Sequence, residues 1–314
     1  MRIGIVVDSA CDVPRDFLDE HQVRILPITV RLASQSLVDL RDPQLTAEFY
    51  KRHVASAGDA ETDAYGPEQI KELFLSKLVL DYDFVFCITI AASRSQTFDN
   101  ATKAAFSILS EYKPVRAKAG ISGPFALRVI DSQNLFAAQA VLAIETARQM
   151  KAGQSNPNKI RERLEQLSGS LYGYMLPRDL LYLRTRAKKK GDRSVGMISA
   201  FLGTALDIKP FLRCHRGETE AVGKVRHFED GARKVFAFVA GRVKKGLLAP
   251  TLCLSYGGEL SELRKLPGYG DLRSVCATAG VEVYESVMSM IGGVNVGEGA
   301  VAIGFAAEPH DVTL

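Results

Sequence analysis

The sequence predicts an α/β protein of two domains, a doubly wound parallel sheet followed by a mixed α+β domain. Three observations carry this. The first half alternates short Val- and Ile-rich runs with helical patterns, which is the signature of βαβ units. Those runs show little polar alternation, as expected of strands covered on both faces. A polar stretch, "KAGQSNPNKIRER" (151–163), then breaks the alternation, and helices and strands follow in mixed order. The domains are expected at 1–167 and 168–314.

Taken in order, "RIGIVV" (2–7), "VRILPITV" (23–30), "DFVFCITI" (83–90) and "ALRVID" (126–131) are the strands of the first domain. The helix expected over 97–112 places Ala101, Ala104, Ala105, Ile108, Leu109 and Tyr112 on one stripe. Residues 134–150 are apolar nearly all round, so that helix should be deeply packed. The polar stretch at 151–163 reads as a turn and a further helix. In the second domain, 195–209 reads as a helix with Met197, Ile198, Phe201, Leu202, Ala205 and Leu206 inward. Residues 210–226 form a hairpin around Arg216-Gly217-Glu218, and 229–246 an amphipathic helix. Strands are expected at 250–256, 281–287 and 299–305. No internal repeat or low-complexity segment interrupts the chain.

Composition excludes several classes. Of 314 residues, 46% are hydrophobic and 24% charged, which is ordinary globular usage. No apolar run approaches the ~18 residues of a membrane span. The apolar N-terminal stretch is too short for a signal h-region and runs straight into Asp8. Five cysteines, an odd number without a Cys-x-x-Cys pair, point to a reducing cytoplasm. A net charge of +4 is too mild to imply nucleic acid. The dense basic stretch "RTRAKKKGDR" (184–193) reads as a solvated helix end.

In an open parallel sheet, ligands bind beyond the carboxyl ends of the strands. There the chain places Asp8-Ser9 and Asp131-Ser132, and after the third strand Ser93, Ser95 and Thr97 ahead of a helix. Hydroxyls at a helix N-terminus suit an anion, although any one of them could be an N-cap. Asp8 as a phosphatase nucleophile would need a second carboxylate two residues on, where Ala10 stands; Asp12 lies four residues on. The five histidines are scattered without metal-ligand spacing, so neither metal nor cofactor is expected. "GGVNVGEG" (292–299) precedes a strand and reads as a close turn or a phosphate loop. No catalytic constellation emerges.

The order of these segments resembles the DegV family of bacterial lipid-binding proteins across essentially the full length. "VVDSACDVP" matches the family's D-S-x-x-D-[LIV]-P opening, and "VIDS" (129–132) a later strand end. "TDAYG" (62–66) stands at T-S-Q-P-S, and "AASRSQTFDNA" at S-S-x-L-S-G-T-Y-x-x-A. "FLGTALDIKPFLRCHRGETEAVGKVR" (201–226) fits the family's helix, Lys-Pro, Gly and Lys-x-Arg signature, with Lys209-Pro210 and Lys224-x-Arg226 intact. The resemblance implies a long-chain fatty acid in a tunnel between the domains, its carboxylate hydrogen-bonded by Thr62 and Ser95. Ser93, Thr97 and Asn295 would complete that head-group site. Asp8, Ser9, Asp63, Asp131, Ser132 and Gly297 would shape the pocket, and Arg193 and Arg226 would contact a partner or an anion. The resemblance further implies a non-catalytic carrier that presents the acid to a separate ATP-dependent kinase subunit. Departures are Asp63 for a serine, Gln96 for a glycine, Asn295 for a histidine, Glu298 for a proline, and a longer basic segment at the G-G-R-I turn. Two other readings stay open: a phosphatase or acyl-transfer enzyme using Asp8 or Asp63, and a lipid sensor without a kinase partner.

Overall fold

The computed structural model describes residues 1–33, 35–190 and 208–314. From the N-terminus the elements run β1 (Ile3–Asp8), α1 (Arg15–Glu20), β2 (Arg24–Leu26), β3 (Ile28–Arg31), β4 (Ser36–Asp39), α2 (Pro43–Arg52) and β5 (Glu61–Ala64). Next come α3 (Pro67–Leu73), α4 (Val79–Asp81), β6 (Phe84–Thr89), α5 (Thr97–Ser107), α6 (Tyr112–Lys118), β7 (Ala126–Asp131), α7 (Phe136–Lys151) and α8 (Pro157–Ser168). The remainder is β8 (Leu171–Leu176), α9 (Leu180–Lys190), β9 (Ile208–His215), β10 (Glu218–Arg226), α10 (Phe228–Lys245), β11 (Thr251–Tyr256), α11 (Leu260–Lys265), α12 (Tyr269–Thr278), β12 (Glu282–Val287), α13 (Met290–Val296) and β13 (Val301–Ala306). No described helix is long and apolar enough to cross a membrane.

A four-stranded, wholly parallel sheet has the order β2-β1-β6-β7. The central strands β1 and β6 are almost wholly apolar because both faces are covered, whereas Arg24 and Arg128 stand exposed on the edge strands β2 and β7. Val6, Val85, Cys87 and Leu127 pack with Ile70, Phe74, Ala101 and Ala104 of the outer helices. Ile5, Val7, Phe86, Ile88 and Ile130 point the other way, onto α7. A second, six-stranded mixed sheet has the order β10-β9-β8-β13-β11-β12. One of its faces meets α10 and α12 through residues such as Tyr174, Phe211, Phe236 and Leu272. Its other face meets α7 through Met175, Cys253 and Ala302. The helix α7 therefore lies between the two sheets and is buried at every position from Phe136 to Ala147, as its all-round apolar pattern requires.

The contact between α7 and the second sheet depends on a glycine. A Cβ on Gly304 of β13 would stand 2.2 Å from the Ala138 Cα and 2.4 Å from the Ala137 carbonyl carbon, both backbone atoms that no rotamer change can move. Gly304→Ala is expected to cost at least the ~1–3 kcal/mol of ordinary overpacking, read as a lower urea midpoint. The matching control is Gly270→Ala in α12, where an added Cβ meets nothing within 4 Å. Alanine there should be neutral or slightly stabilising. Equal midpoints for the two variants would contradict this packing.

Several expectations need correction. The single strand at 23–30 is broken at Pro27, which has no N–H for a ladder. The chain changes sheets there: β2 stays parallel to β1, while β3 joins an antiparallel sheet of order β4-β3-β5. The helix at 97–112 ends at Ser107, and a 3₁₀ turn precedes α6; this shifts the helical phase and leaves Leu109 57% exposed. The glycine-rich 292–299 begins as the helix α13, capped by Ser289 Oγ accepting from Gly292 N at 3.0 Å. The helix expected at 195–209 lies outside the described residues up to 207, and Ile208 and Lys209 open β9. The hairpin at 210–226 is present as β9–β10, with positive φ at Arg216 (50°) and Gly217 (77°), as a two-residue turn demands.

Candidate functional site

A cavity of about 710 Å³ opens among β3, β5, the loop after β6, the start of α7, and elements of the second sheet and its helices. Its size is that of a small-ligand site. Ile28, Ile90, Leu135, Phe136, Met175, Leu183, Leu212, Ile291 and Val296 supply apolar wall. Thr62, Asp63, Ser93, Ser95 and Asn295, all expected at the site, line it too. Thr62 stands on β5 opposite Val30 of β3.

The hydroxyls have distinct bonding. Ser93 Oγ donates to the Gly217 carbonyl at 2.8 Å, so its proton ties the loop after β6 to the β9–β10 turn. Ser95 Oγ lies 2.8 Å from Thr97 Oγ1 and accepts from Thr97 N at 3.2 Å. Either hydroxyl can donate in that pair; where Thr97 does, the Ser95 proton is free to turn to the cavity. Thr97 itself is 1% exposed and lies behind the wall. Its N–H and hydroxyl together hold Ser95 Oγ in place.

Asp63 shares the Arg31 guanidinium with Glu61. Its carboxylate meets the Arg31 guanidinium at 2.9 and 3.1 Å and is half exposed. The β3–β5 register places Arg31 diagonal to Asp63 on one sheet face. Asn295 is oriented by its own helix: Nδ2 donates to the Ile291 carbonyl at 2.7 Å, which turns Oδ1 outward to Arg186 Nε at 3.2 Å.

The aspartate-serine strand ends do not line the cavity; they hold the loops that do. Asp8 is fully buried, and its carboxylate accepts from Ala10 N (3.0 Å), Ile90 N (2.5 Å) and Gln139 Nε2 (3.3 Å). Burial pushes its carboxyl up to about 7 against the pull of those donors. A nucleophile must reach its substrate, and both Asp8 oxygens are instead committed to the chain. Ser9 Oγ accepts from Ile28 N at 2.8 Å and donates to the Asp39 carbonyl at 2.5 Å, bridging the point where the chain changes sheets. Asp131 accepts from Ala92 N (3.2 Å) and Gln133 N (2.8 Å), and Ser132 Oγ donates to the Asn134 carbonyl at 2.9 Å. Burial raises the Asp131 pKa. Gly297 closes α13 at φ 86°, where a Cβ would come within 3.0 Å of the Tyr182 ring. Arg226 is exposed at the end of β10, away from the cavity, and Arg193 lies outside the described residues.

Two arginines on the wall were not singled out from sequence. Arg94 Nε donates to the Gly217 carbonyl at 3.3 Å. Arg186 is 4% exposed, which corrects the reading of 184–193 as a wholly solvated helix end. Its position three residues after Leu183, which also lines the cavity, was the available signal: both fall on one face of α9.

The family model described as "Uncharacterised protein, DegV family" matches residues 2–308. A DegV domain-containing protein of Xanthomonas axonopodis pv. citri is 58% identical over 311 residues, 99% of each chain. Among solved structures, a fat acid (stearic acid)-binding protein from Eubacterium ventriosum superposes with a TM-score of 0.77 at 22% identity, covering 97% of this chain and 98% of that one. A degv lipid binding protein from Thermotoga maritima gives 0.75 at 20% identity, covering 98% of each. At those identities the structural matches establish the fold.

Proposed function

The chain belongs to the DegV family, and from that membership we propose that it is a carrier for one long-chain fatty acid. The acyl chain lies along the apolar wall between the two sheets, and the carboxylate meets Thr62 and Ser95. The observation that carries this reading is that one cavity joins those two hydroxyls to a wall of Ile, Leu, Met, Phe and Val side chains. The ligand class follows the solved relatives named for lipid and stearic acid. Each buried methylene contributes about 0.8 kcal/mol, so an ordinary acyl tail gains on the order of 10 kcal/mol before ordering costs. The head group needs hydrogen bonds to avoid the penalty of an unsatisfied buried carboxylate.

From the family membership we infer that the acid is presented to a separate ATP-dependent kinase subunit; Asp8, the candidate nucleophile, is buried and engaged, which supports a non-catalytic role for this chain. A cytoplasmic setting suits five free cysteines that are all buried. Mass spectrometry of the protein purified from cells, first native and then denatured, tests the carrier reading. The expected result is one fatty acid, or a similar single-chain lipid, per protein. A clean unliganded mass that also fails to shift with added oleate or palmitate would overturn it.

A further inference from the structure

The cavity carries acidic and basic groups, and they are not matched alike. Asp63 is paired with Arg31, and Glu220 with Arg213 through Nε at 3.0 Å and a short contact from Nη2. Arg186 differs. Among the described residues, its hydrogen-bond acceptors are the Asn295 amide oxygen and the Ala60 carbonyl, both neutral. Neutral oxygens satisfy a guanidinium's donors but bring no counter-charge. Asp59 and Glu61 act on it favourably from nearby, but both are exposed, and solvent screens them. Burial works against the charge.

The guanidinium is nonetheless held firmly. The Asn295 amide cannot turn away while Nδ2 is bonded to Ile291. Tyr182 Oη donates to the Gly293 and Val294 carbonyls at 3.1 and 3.0 Å, seating α9 on α13. Ala60 precedes Thr62 by two residues of extended chain, about 7 Å. The arginine is thus fixed beside the strand that carries the expected head-group threonine, on the same cavity.

We propose that Arg186, positioned by Asn295, is the specificity residue of this cavity and makes it take its lipid as an anion rather than as an alcohol, ester or amide. This rests on the fatty-acid reading above and deepens it. Thr62 and Ser95 offer hydrogen bonds that a fatty alcohol can also use. Arg186 offers a charge that only the ionised acid rewards. Asn295 acts through the arginine and is a positioning residue.

The test is a set of titrations of delipidated protein with oleate and with oleyl alcohol at pH 8. Arg186→Gln should weaken oleate about ten- to a hundredfold, the worth of a charge-assisted hydrogen bond, and change oleyl alcohol by less than about threefold. Arg186→Lys should recover part of the loss, and Asn295→Ala should lower the acid-to-alcohol preference in the same direction. Binding of the alcohol serves as the check that each variant is folded. If Arg186→Gln does not fold, the lysine and Asn295 variants decide. Equal losses for acid and alcohol, or an unchanged preference, overturn the role of Arg186 while leaving the lipid site standing. A wild-type protein that binds neither probe overturns the lipid reading, and this inference with it.

Discussion

Replacing Arg41 by methionine is expected to cost the fold about 3–5 kcal/mol at pH 8, the penalty for leaving a buried charge without its partner. Arg41 follows β4 and its side chain is 5% exposed. Its Nη2 donates to Ser286 Oγ and the Val287 carbonyl, both at 2.9 Å, and its Nη1 lies 3.5 Å from Asp12 Oδ1. Asp12 also accepts from Ser255 Oγ at 2.6 Å and Ser289 N at 2.8 Å. Asp39, fully buried, accepts from Arg41 N and Met290 N, each at 2.9 Å. Arg41 thus meets Asp12 and β12 through its guanidinium and Asp39 through its backbone N–H, while the two carboxylates reach the start of α13. Methionine keeps much of the apolar volume and removes the charge.

The loss should depend on pH, with a definite sign. Burial raises the Asp12 and Asp39 carboxyls above their ordinary range, and Arg41 offsets part of that rise. A carboxyl raised in the folded state favours folding where it is protonated. That contribution is lost as pH climbs from the unfolded value near 4 through the folded one. Without Arg41 both carboxyls rise further, so the variant goes on losing stability over a wider span of pH than the wild type. Its deficit should be small at pH 5 and largest at pH 8. Urea midpoints of both proteins at the two pH values check this. A deficit that is equal at both, or larger in acid, would mean that Arg41 is not the counter-charge. Asp8, raised to about 7, titrates in both proteins and largely cancels in the difference.

What sequence reading recovers and what it loses follow from where the forces lie. The central parallel strands are legible because burial on both faces makes β1 and β6 nearly unbroken apolar runs, and α7 is legible because two sheets enclose it. The strands "SLVD" and "ETDA" are not: four residues each, mostly partly exposed, they exist because β3 pairs with both. The split at Pro27 is legible as a proline inside an expected strand. At the site, Thr62 and Ser95 come from motif position, whereas the charge partners come from register. The pairing of Asp63 depends on Arg31 lying diagonal to it, which no local pattern encodes. Arg186 sits in a basic run that reads as solvated, and only the seating of α9 on α13 buries it. Asp8 and Ser9, adjacent and alike in polarity, hold different junctions, one between β1 and the loop after β6, the other at the change of sheets.

The Thr62→Ala/Ser95→Ala double variant is expected to lose one to several orders of magnitude in affinity for oleate. Each hydroxyl removed leaves a carboxylate oxygen in the cavity short of a donor, at about 1–3 kcal/mol apiece, and 1.4 kcal/mol is a factor of ten. The two losses need not add, because both donors serve one head group. Tail contacts along Leu135, Phe136, Met175 and Ile291 are untouched, so oleyl alcohol, uncharged and cheaper to leave underbonded, should lose much less. Thr97→Val gives an internal test of orientation. It removes the hydroxyl that sets Ser95 while leaving Ser95 in place, so it should reproduce part of the serine's loss for the acid. Asp63→Ser should change oleate affinity by less than about threefold, because the charge it removes is half exposed and already paired with Arg31. The measurement is a pair of titrations, acid and alcohol, on wild type and these three variants. An oleate affinity unchanged in the double variant would put the head group elsewhere in the cavity. A large gain from Asp63→Ser would mean that the Arg31 pair leaves that carboxylate's charge in play against the ligand.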